Sequence, residues 1–374
     1  MTTRNNNSAI KKRNKTIVLR ELIRAGETTK PELAASLRIS LPTVGQIVEE
    51  FIEAGYVEEN GRAASVGGRR PVAVRVVAGK WVSLGINITA HHVGFSLVDL
   101  NGTVIDHERV KAAYERSEAY NKDILARADA FLARNGYSRE QLCGVGMALP
   151  AIISADQSGM LNSYALRLHE PTRFSSAKDF PCQVRYFNDA TAACLVECYA
   201  DDAPESFVFL SLSNTVGGAM VIDKKLVEGD NNRCGELGHV CVVPGGRQCY
   251  CGQKGHYDAY GAAWILAEKT GGNLAAFFER LAQGDAEFNA LFEEYLDMLA
   301  LLICNTIMLS DLPLIIGGYV GNYLEPYLPR LKQKVAEMDL FGKEDPDIRL
   351  CRRKDEAAAT GCAQYFLEQI INDP

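Results

Sequence analysis

One stretch of the chain restricts its fold more than any other: GELGHVCVVPGGRQCYCGQKGHYDAYG, at positions 235–261. Among the eleven cysteines, only Cys249 and Cys251 have the close spacing of metal ligands. His239 lies ten positions before this pair, and His256 lies five positions after it. Such side chains suit a metal centre, a substrate pocket or an ordinary loop, and the spacing alone leaves the three interpretations open.

The length and composition of the sequence predict a large cytoplasmic protein. At 374 residues the chain suits two or three domains, and 47% apolar with 23% charged residues is the balance of a globular protein. We find no run of 18 apolar residues, so no membrane span is expected. Residues 1–15 lack the apolar centre of a secretory signal. Together with eleven irregularly spaced cysteines, this predicts a reducing compartment without a disulfide framework.

Charge is unevenly distributed along the chain. Residues 1–80 carry 14 Lys and Arg against 8 Asp and Glu, which gives +6. The remainder carries 26 against 39, so that the net charge of the whole chain is −7. A basic end joined to an acidic body is typical of a protein in which one end faces nucleic acid.

Three helices are predicted in this basic end. Residues 14–25 place apolar side chains at helical spacing. Thr29 can cap a short second helix, and after a tight break Ser40 can cap a third, which Gly55 ends. A short helix, a tight turn and a longer helix in this order predict a helix-turn-helix.

The start of the third helix offers small or hydrogen-bonding side chains opposite its apolar stripe. This arrangement lets the helix N-terminus enter a major groove of DNA and contact base edges. The residues assigned to this contact are Ser40, Pro42, Thr43 and Gln46.

The third helix is followed by a predicted wing. YVEENGRAASVGGRRPVAVRVV, from position 56, indicates two strands joined by a glycine-rich turn that carries Arg69 and Arg70. Arginines at the tip of a β-wing suit contacts with phosphates or the minor groove. The alternative is a small helical bundle that binds protein, but the order of the elements favours double-stranded DNA as the partner.

The acidic body predicts an α/β fold. Strands that end in glycine turns alternate with helices, a pattern that places ligands at the strand ends. The predicted elements are two or three strands with an Asn-Gly turn over 81–110, a helix near 120–135, a strand in CGVGMALPAIIS, a strand entering a helix in RYFNDATAACLVECYA, a hairpin over 207–229, a helix over 288–310, a strand with a Gly-Gly turn in PLIIGGYVG and a last helix over 355–371.

These residues resemble the ROK family (repressors, open reading frames and kinases), specifically its winged-helix regulators, the group that includes the xylose and N-acetylglucosamine repressors. The most specific block is GELGHVCVVPGGRQCYCGQKGH, close to the family pattern GExGH, nine residues, CxCGxxGC. FNDATAA, LSNTVGGAMVIDKKLVEG, LIIGGYVG and GGRRP support it. The resemblance covers nearly the full length. It implies a winged helix-turn-helix followed by an actin-like (ribonuclease H-like), two-lobed sugar-kinase fold.

The resemblance also implies a structural zinc ion. In the family, the histidine of GExGH and three cysteines hold the metal, which here gives His239, Cys249, Cys251 and, in place of the third cysteine, His256. Two thiolates and two imidazoles suit tetrahedral zinc. Cys241 is a spare thiol in the same loop. The alternative is a metal-free loop with buried cysteines.

A sugar site is implied next to this loop. In the family, His239 lies between the zinc and the sugar, and Glu236 and Asn188 bind sugar hydroxyls. Asp258 stands where the family has a glutamate, and its shorter side chain reshapes that contact. Asp189 is the residue that takes the proton from the attacking hydroxyl in family kinases. Asn188 and Asp189 can also cap the helix that follows, and this role is compatible with sugar contact.

The loops that bind phosphate in family kinases are degenerate here. The first reads DxGGT in the kinases and NITAH at 87–91, and the second reads GTGxGGG and here SNTVGGA at 213–219. Phosphoryl transfer depends on backbone amides close to the phosphates, which glycines permit. The expectation is therefore a catalytically inactive kinase-like domain with Asp189 as a vestigial base.

The sequence thus predicts a cytoplasmic, sugar-responsive DNA-binding regulator of carbohydrate genes, a repressor that acts as a homodimer or homotetramer. The expected units are residues 1–78 for DNA binding, 79–190 for the first lobe and 191–374 for the second lobe, whose C-terminal helix returns to the first. The rival is an ATP-dependent hexose or N-acetylhexosamine kinase with Asp189 as catalytic base. A third interpretation is a regulator that responds to a protein partner.

Overall fold

The N-terminal unit consists of three helices and a small sheet. The computed structural model describes residues 2–62, 71–174, 176–200, 202–339, 341, 345–354 and 356–372. The elements of the unit are α1 (Thr2–Ala25), β1 (Glu27–Thr29), α2 (Lys30–Leu37), α3 (Leu41–Ala54), β2 (Val57–Arg62) and β3 (Val72–Val76). The sheet has the order β1-β3-β2, with antiparallel pairing throughout. Helix α1 begins well before the predicted residue 14, and β1 was not predicted.

Local hydrogen bonds explain why the helices of this unit begin and end where they do. Thr29 and Glu32 form a capping box, in which the Glu32 carboxylate accepts from the Thr29 amide at 2.9 Å. The Ser40 hydroxyl caps α3, and Gly55 ends it in the left-handed region with φ 75°. The predicted caps are therefore confirmed. Arg69 and Arg70 lie outside the described residues.

The chain continues into the first of two similar lobes. Its elements are β4 (Val82–Ile88), β5 (His92–Asp99), β6 (Val104–Lys111), α4 (Glu118–Arg134), β7 (Leu142–Leu149), β8 (Ile152–Ile153), β9 (Gly159–Asn162), β10 (Thr172–Arg173), β11 (Val184–Asn188) and α5 (Asp189–Cys198). The main sheet has the order β11-β7-β4-β5-β6. Strands β8 to β10 form a separate small sheet that was not predicted.

The second lobe repeats the strand order of the first. Its elements are β12 (Phe207–Leu212), β13 (Val216–Ile222), β14 (Lys225–Leu226), α6 (Asp258–Gly261), α7 (Ala263–Ala267), α8 (Leu274–Ala282), α9 (Ala286–Ser310), β15 (Leu314–Gly317), α10 (Gly318–Gly321), α11 (Leu328–Met338), β16 (Ile348–Leu350) and α12 (Ala357–Asn372). The sheet order is β14-β13-β12-β15-β16. In each lobe three antiparallel strands are extended by two parallel ones, as the alternation of strands and helices predicts.

Helix α12 packs on the sheet of the first lobe through glycines. A Cβ atom on Gly85 of β4 would lie 1.7 Å from the carbonyl oxygen of Ala359, and one on Gly146 of β7 would lie 2.5 Å from Cβ of Cys362. Only glycine permits so close an approach of the backbone. Helix α12 also crosses α5, so these two helices lie together between the sheets.

The N-terminal unit rests on α12. Its core, which includes Leu19 and Leu22 of α1, is continuous with Leu367 and Ile371 of α12. The guanidinium of Arg20 binds the Glu368 carboxylate at 2.6 and 3.3 Å. Apolar contact and a two-point ion pair therefore join this unit to the last helix of the chain.

Candidate functional site

The start of α3 forms an exposed face on the N-terminal unit. Ser40, Pro42 and Gln46 are exposed and Thr43 is half-buried, while the opposite side of the helix is buried in the core. The hydroxyls of Ser40 and Thr43 lie 2.7 Å apart. The structure thus brings the four predicted DNA-contacting residues of α3 onto one accessible surface. The two predicted wing arginines cannot be placed because they lie outside the described residues.

Positive charge from α1 lies beside this helix. Lys11 and Lys15 bind the two carboxylate oxygens of Glu50 at 2.7 and 2.9 Å. The hydrogen bonds from Lys11 and then Lys15 lower the pKa of Glu50 to about 2. The negative charge of Glu50 is therefore compensated by the lysines of α1, which reduces its repulsion of a phosphate backbone.

The cleft between the lobes is a cavity of about 440 Å³, within the range of small-molecule sites. Its lining comes from several loops and strand ends of both lobes. Its principal polar lining residues are Asn162, Tyr164, Asn188, Asp189, Arg233, Glu236, His239 and Tyr250. Four of the five residues predicted to bind a sugar thus meet in one cavity.

Asn188 caps α5 and also lines the cleft. Its Oδ1 accepts from the amides of Ala190 and Thr191 at 2.9 and 3.2 Å and so caps α5. Its Nδ2 donates to the carbonyl oxygen of Ala151 at 3.3 Å, and the residue lines the cleft. The cap fixes the side chain at the point where β11 enters α5.

Asp189 lies at the junction of the cleft and a second cavity, described below. Burial raises its pKa from the usual 3.8 to about 6, although the Ala190 amide donates to the carboxylate at 2.9 Å. A carboxyl group with a pKa near neutrality is suited to accepting a proton, which is the role of this position in a kinase. It is equally suited to accepting a hydrogen bond from a sugar hydroxyl.

Replacement of Asp189 by asparagine is expected to stabilise the fold at neutral pH. Because the pKa is raised in the folded state, protonation of Asp189 stabilises the fold fully below about pH 4, and this contribution is lost as the pH rises through about 6. Asp189→Asn should therefore increase the free energy of unfolding at pH 7.5 by about 2 kcal/mol, and by much less at pH 4.5. Urea denaturation at both pH values measures the difference, and a pH-independent difference would contradict the assignment.

Glu236 and His239 connect the cleft with the loop at 235–261. Burial and then the neighbouring Asp189 raise the pKa of Glu236. Burial and then His256 lower the pKa of His239, which favours the neutral imidazole. Nε2 of His239 lies 4.0 Å from the Glu236 carboxylate and 3.3 Å from the Tyr250 hydroxyl, on the cleft side of the ring.

The other nitrogen of His239 faces a cluster of ligand-type side chains. The ligand atoms of the four residues His239, Cys249, Cys251 and His256 all lie within 4.8 Å of one another. Nδ1 of His239 is 3.3 Å from Nδ1 of His256, and Sγ of Cys251 is 3.2 Å from the same His256 nitrogen. These separations suit four donors around one tetrahedral metal ion, and two thiolates with two imidazoles are a donor set that zinc prefers.

Glycines shape the loop that carries this cluster. Gly252 and Gly255 have φ of 92° and 81°, a region that L-residues with side chains rarely adopt. Cys241, the spare thiol of the loop, is exposed and lies outside the four-residue cluster. The backbone pairs Cys241 with His256 and Gln248 with Lys254, so the loop folds back on itself.

Asp258 is placed differently from the other predicted sugar ligands. It is buried, and its Oδ1 accepts from the Val216 amide at 2.8 Å, while Oδ2 has no hydrogen-bond partner among the described residues. Burial raises its pKa to about 7. The residue does not belong to the cleft lining, so its described contact supports the turn before β13.

The second cavity, of about 410 Å³, is lined by the degenerate phosphate loops. Thr89, Asn214 and Gly318 line it together with Asp189. Arg109 of β6 crosses this cavity, donates to the Tyr319 hydroxyl at 2.7 Å and lies 4.9 Å from the centre of that ring. The two lobes are therefore joined here by side chains of the chain itself.

Two aromatic residues of the cleft were not among the predicted sugar ligands. The Tyr250 and Tyr164 rings pack at 5.6 Å, one from each lobe, and both line the cavity. Aromatic side chains at a sugar site bring apolar area and a hydroxyl group. The position of Tyr250 between two ligand-type cysteines was the only available signal.

Comparison with known proteins agrees with this architecture. The ROK family model matches residues 83–369, and a model of winged helix-turn-helix DNA-binding domains matches residues 13–58. The xylose repressor of Bacillus subtilis (strain 168) is 25% identical over 260 residues, which cover 69% of this chain and 67% of that protein.

Two solved structures share the fold. A ROK family transcriptional regulator, a homolog of the Escherichia coli MLC protein, superposes with a TM-score of 0.76 at 19% identity and covers 97% of both chains. A ROK family glucokinase from Streptomyces griseus, in complex with glucose and AMPPNP, has a TM-score of 0.66 at 21% identity and covers 76% of this chain and 98% of its own. At these identities the likeness shows the fold alone.

The predicted fold, a winged helix-turn-helix followed by a two-lobed sugar-kinase fold, is confirmed. None of the helices in the described part of the chain has the length and apolar content needed to cross a membrane. The ROK family model matches far more than half of the 374 residues. The chain therefore belongs to the ROK family, with a winged helix-turn-helix ahead of the family domain.

Proposed function

We propose that this protein is a cytoplasmic transcriptional repressor that binds operator DNA and responds to a sugar or sugar derivative in the cleft. One observation carries the proposal: α12 crosses α5, which begins at the cleft residues Asn188 and Asp189, and α12 also holds the DNA-binding unit through Glu368 and Arg20. The xylose repressor among its relatives supports the sugar response.

The cleft is the effector site of this proposal. Asn188, Asp189 and Glu236 present carboxylate and amide groups to sugar hydroxyls, and His239 presents Nε2. Asp258 supports these groups from behind the cleft through the turn at Val216. The repertoire of hydroxyl-binding groups over an aromatic wall favours a carbohydrate over an apolar ligand.

We propose zinc as a structural ion held by the cluster of His239, Cys249, Cys251 and His256. When bound, zinc would fix the loop and hold the His239 ring, because ligation through Nδ1 leaves Nε2 directed at the cleft. Zinc would have a structural role only, since four protein ligands leave no coordination position for water or a substrate.

The regulatory step of the proposal is a change in the relative position of the lobes. The two lobes would close on the effector, and α12 would transmit the movement to the N-terminal unit. In a homodimer or homotetramer, this movement would change the spacing of two α3 helices on a palindromic operator.

Phosphoryl transfer is the alternative function, and the described residues argue against it. Positions 87–91 and 213–219 lack most of the glycines that bring backbone amides to phosphates. Arg109 and Tyr319 meet inside the cavity that these two loops line. Asp189 keeps the position of a base, but a base alone does not align or neutralise phosphates.

Operator binding tests the proposal. The full-length protein should prefer its own promoter region over random DNA in a salt-sensitive manner, and Gln46→Ala should weaken that specific binding about tenfold to a hundredfold. Electrophoretic mobility shift or fluorescence anisotropy measures both. Glu53→Ala, on the exposed far end of α3, is the control and should retain the preference. Equal affinity of the wild type for both DNAs would refute the proposal.

A further inference from the structure

A third cavity, of about 330 Å³, lies on the flank of α5 opposite the cavity that collects the phosphate loops. Asp189 and Ala193 face that other cavity, whereas Thr191 and Leu195 face this one. We call it the Arg185 pocket, and its walls come from β11, α5, the β13–β14 hairpin and α12. Its lining includes Arg185, Phe187, Lys224, Lys225, Glu228 and Tyr365.

Arg185 is held in one orientation in this pocket. Its Nη1 donates to the Tyr365 hydroxyl at 2.8 Å, and the guanidinium lies 4.8 Å from the centre of that ring. The ring of Phe187 lies 5.5 Å from the guanidinium. Two aromatic contacts and a hydrogen bond therefore fix the plane of the guanidinium before any ligand binds.

One edge of this guanidinium has few hydrogen-bond partners among the described residues. Nε is buried and has no hydrogen-bond partner among the described residues. Among the residues that the structure describes, Nη2 on the same edge bonds only to Glu228, at 3.3 Å, and the Glu228 side chain is 60% exposed. The edge formed by Nε and Nη2 is the one that binds a carboxylate or phosphate with two parallel hydrogen bonds.

The hairpin opposite Arg185 adds positive charge. Lys224 and Lys225 are exposed at the turn between β13 and β14, and both border the pocket. An anion that entered here would replace the exposed Glu228 carboxylate on Arg185 and would be attracted by the two lysines, while the Glu236 and Glu368 carboxylates also border the pocket and Glu368 is paired with Arg20. We propose that the Arg185 pocket is a second ligand site, which binds a small anion through a carboxylate or phosphate group on the Nε–Nη2 edge of Arg185.

The position of the pocket gives such a ligand a particular neighbour. Glu368 and Asn372 of α12 also line the pocket, and both hydrogen-bond to Arg20 of the N-terminal unit. A ligand in the Arg185 pocket therefore lies against the helix that supports the DNA-binding unit. The binding proposal does not depend on the function proposed above.

Calorimetry on the full-length protein tests the site, with inorganic phosphate and citrate as probes and sodium chloride at equal ionic strength as the reference. The wild type should bind at least one probe saturably, and Arg185→Gln should bind it about tenfold more weakly or not at all. Arg280→Gln is the matched control, because Arg280 is exposed on α8 and lines none of the three cavities. It should bind the probe as the wild type does.

A second variant separates ligand contact from a structural role of Arg185. Glu228→Gln removes the competing carboxylate and should tighten binding severalfold, an effect that a purely structural arginine would not produce. If Arg185→Gln does not fold, Glu228→Gln decides the matter alone. The proposal is overturned if neither probe binds the wild type, if Arg185→Gln binds as the wild type does, if Arg280→Gln abolishes binding, or if Glu228→Gln leaves the affinity unchanged.

Discussion

Cys249→Ser is expected to abolish stoichiometric zinc binding and to lower the melting temperature of the whole protein. The buried Cys249 faces His239 in the four-residue cluster, with Sγ at 3.9 Å from Nδ1 of that ring. A serine hydroxyl is a poor zinc ligand at neutral pH, whereas a thiolate is one of the best. Loss of a direct ligand should weaken zinc binding by more than about a hundredfold, because even outer partners of ligands contribute about ten- to a hundredfold.

The measurement is zinc content per chain by atomic emission after dialysis, with thermal unfolding on the same samples. Cys241→Ser is the matched control, since Cys241 is an exposed thiol in the same loop outside the cluster. It should keep about one zinc per chain, as a four-ligand structural site holds a single ion. Full zinc content in Cys249→Ser, or equal loss in both variants, would contradict the assignment of the cluster.

The same variant should also weaken binding of the effector. His239 has one ring nitrogen toward the cluster and the other toward Glu236 and the cleft. Without a metal ion on Nδ1 the ring can rotate, and Nε2 is then no longer held in place. His256→Cys tests the ligand set in the opposite direction. This variant restores the third cysteine of the family pattern, so it should retain zinc.

Local signals in the sequence predicted the elements whose ends are set by their own residues. Ser40 and Gly55 bound α3 as expected, and the Asn101-Gly102 turn lies between β5 and β6. Each depends on a hydrogen bond or a backbone conformation within a few residues. Strands such as β1 and β8 to β10 escaped prediction because two to four residues are too short for a periodic pattern.

The site was predictable where chemistry dictates residue type. The spacing of Cys249 and Cys251 predicted them as metal ligands, whereas Asn188 and Asp189 were expected at the site from the resemblance of FNDATAA to the ROK family. Tyr164 and Tyr250 were not among the predicted ligands, because an aromatic residue in a loop has no distinguishing spacing. Arg69 and Arg70 stay a prediction, since they lie outside the described residues.

The contact between the N-terminal unit and α12 had no signal in the sequence at all. Arg20 and Glu368 are 348 positions apart. The apolar face of each helix was expected to be buried within its own domain. The pattern of one amphipathic helix specifies that a face is buried, not which partner buries it. The link between cleft and DNA-binding unit is thus a property of the tertiary structure.

This link rests on the crossing of α5 and α12, and Gly361→Ala should disrupt it. A Cβ at Gly361 would lie 1.8 Å from the carbonyl oxygen of Ala192 and 3.2 Å from Cβ of Leu195, both on α5. Backbone cannot yield as a flexible side chain does, so the two helices must separate. Overpacking of this kind costs about 3 kcal/mol or more in free energy of unfolding.

Helix propensity alone predicts that Gly361→Ala increases the free energy of unfolding, whereas the close helix contact predicts a decrease. The substitution therefore distinguishes the two effects. In an open helix, replacement of glycine by alanine stabilises by up to about 1 kcal/mol. Gly45 of α3 meets this condition, since a Cβ there would have no neighbour within 4 Å. Urea denaturation followed by circular dichroism should therefore show Gly45→Ala as stable as the wild type or more so, and Gly361→Ala strongly destabilised. If Gly361→Ala matched the wild type, the close crossing of α5 and α12 would be wrong, and with it the route from the cleft to Arg20.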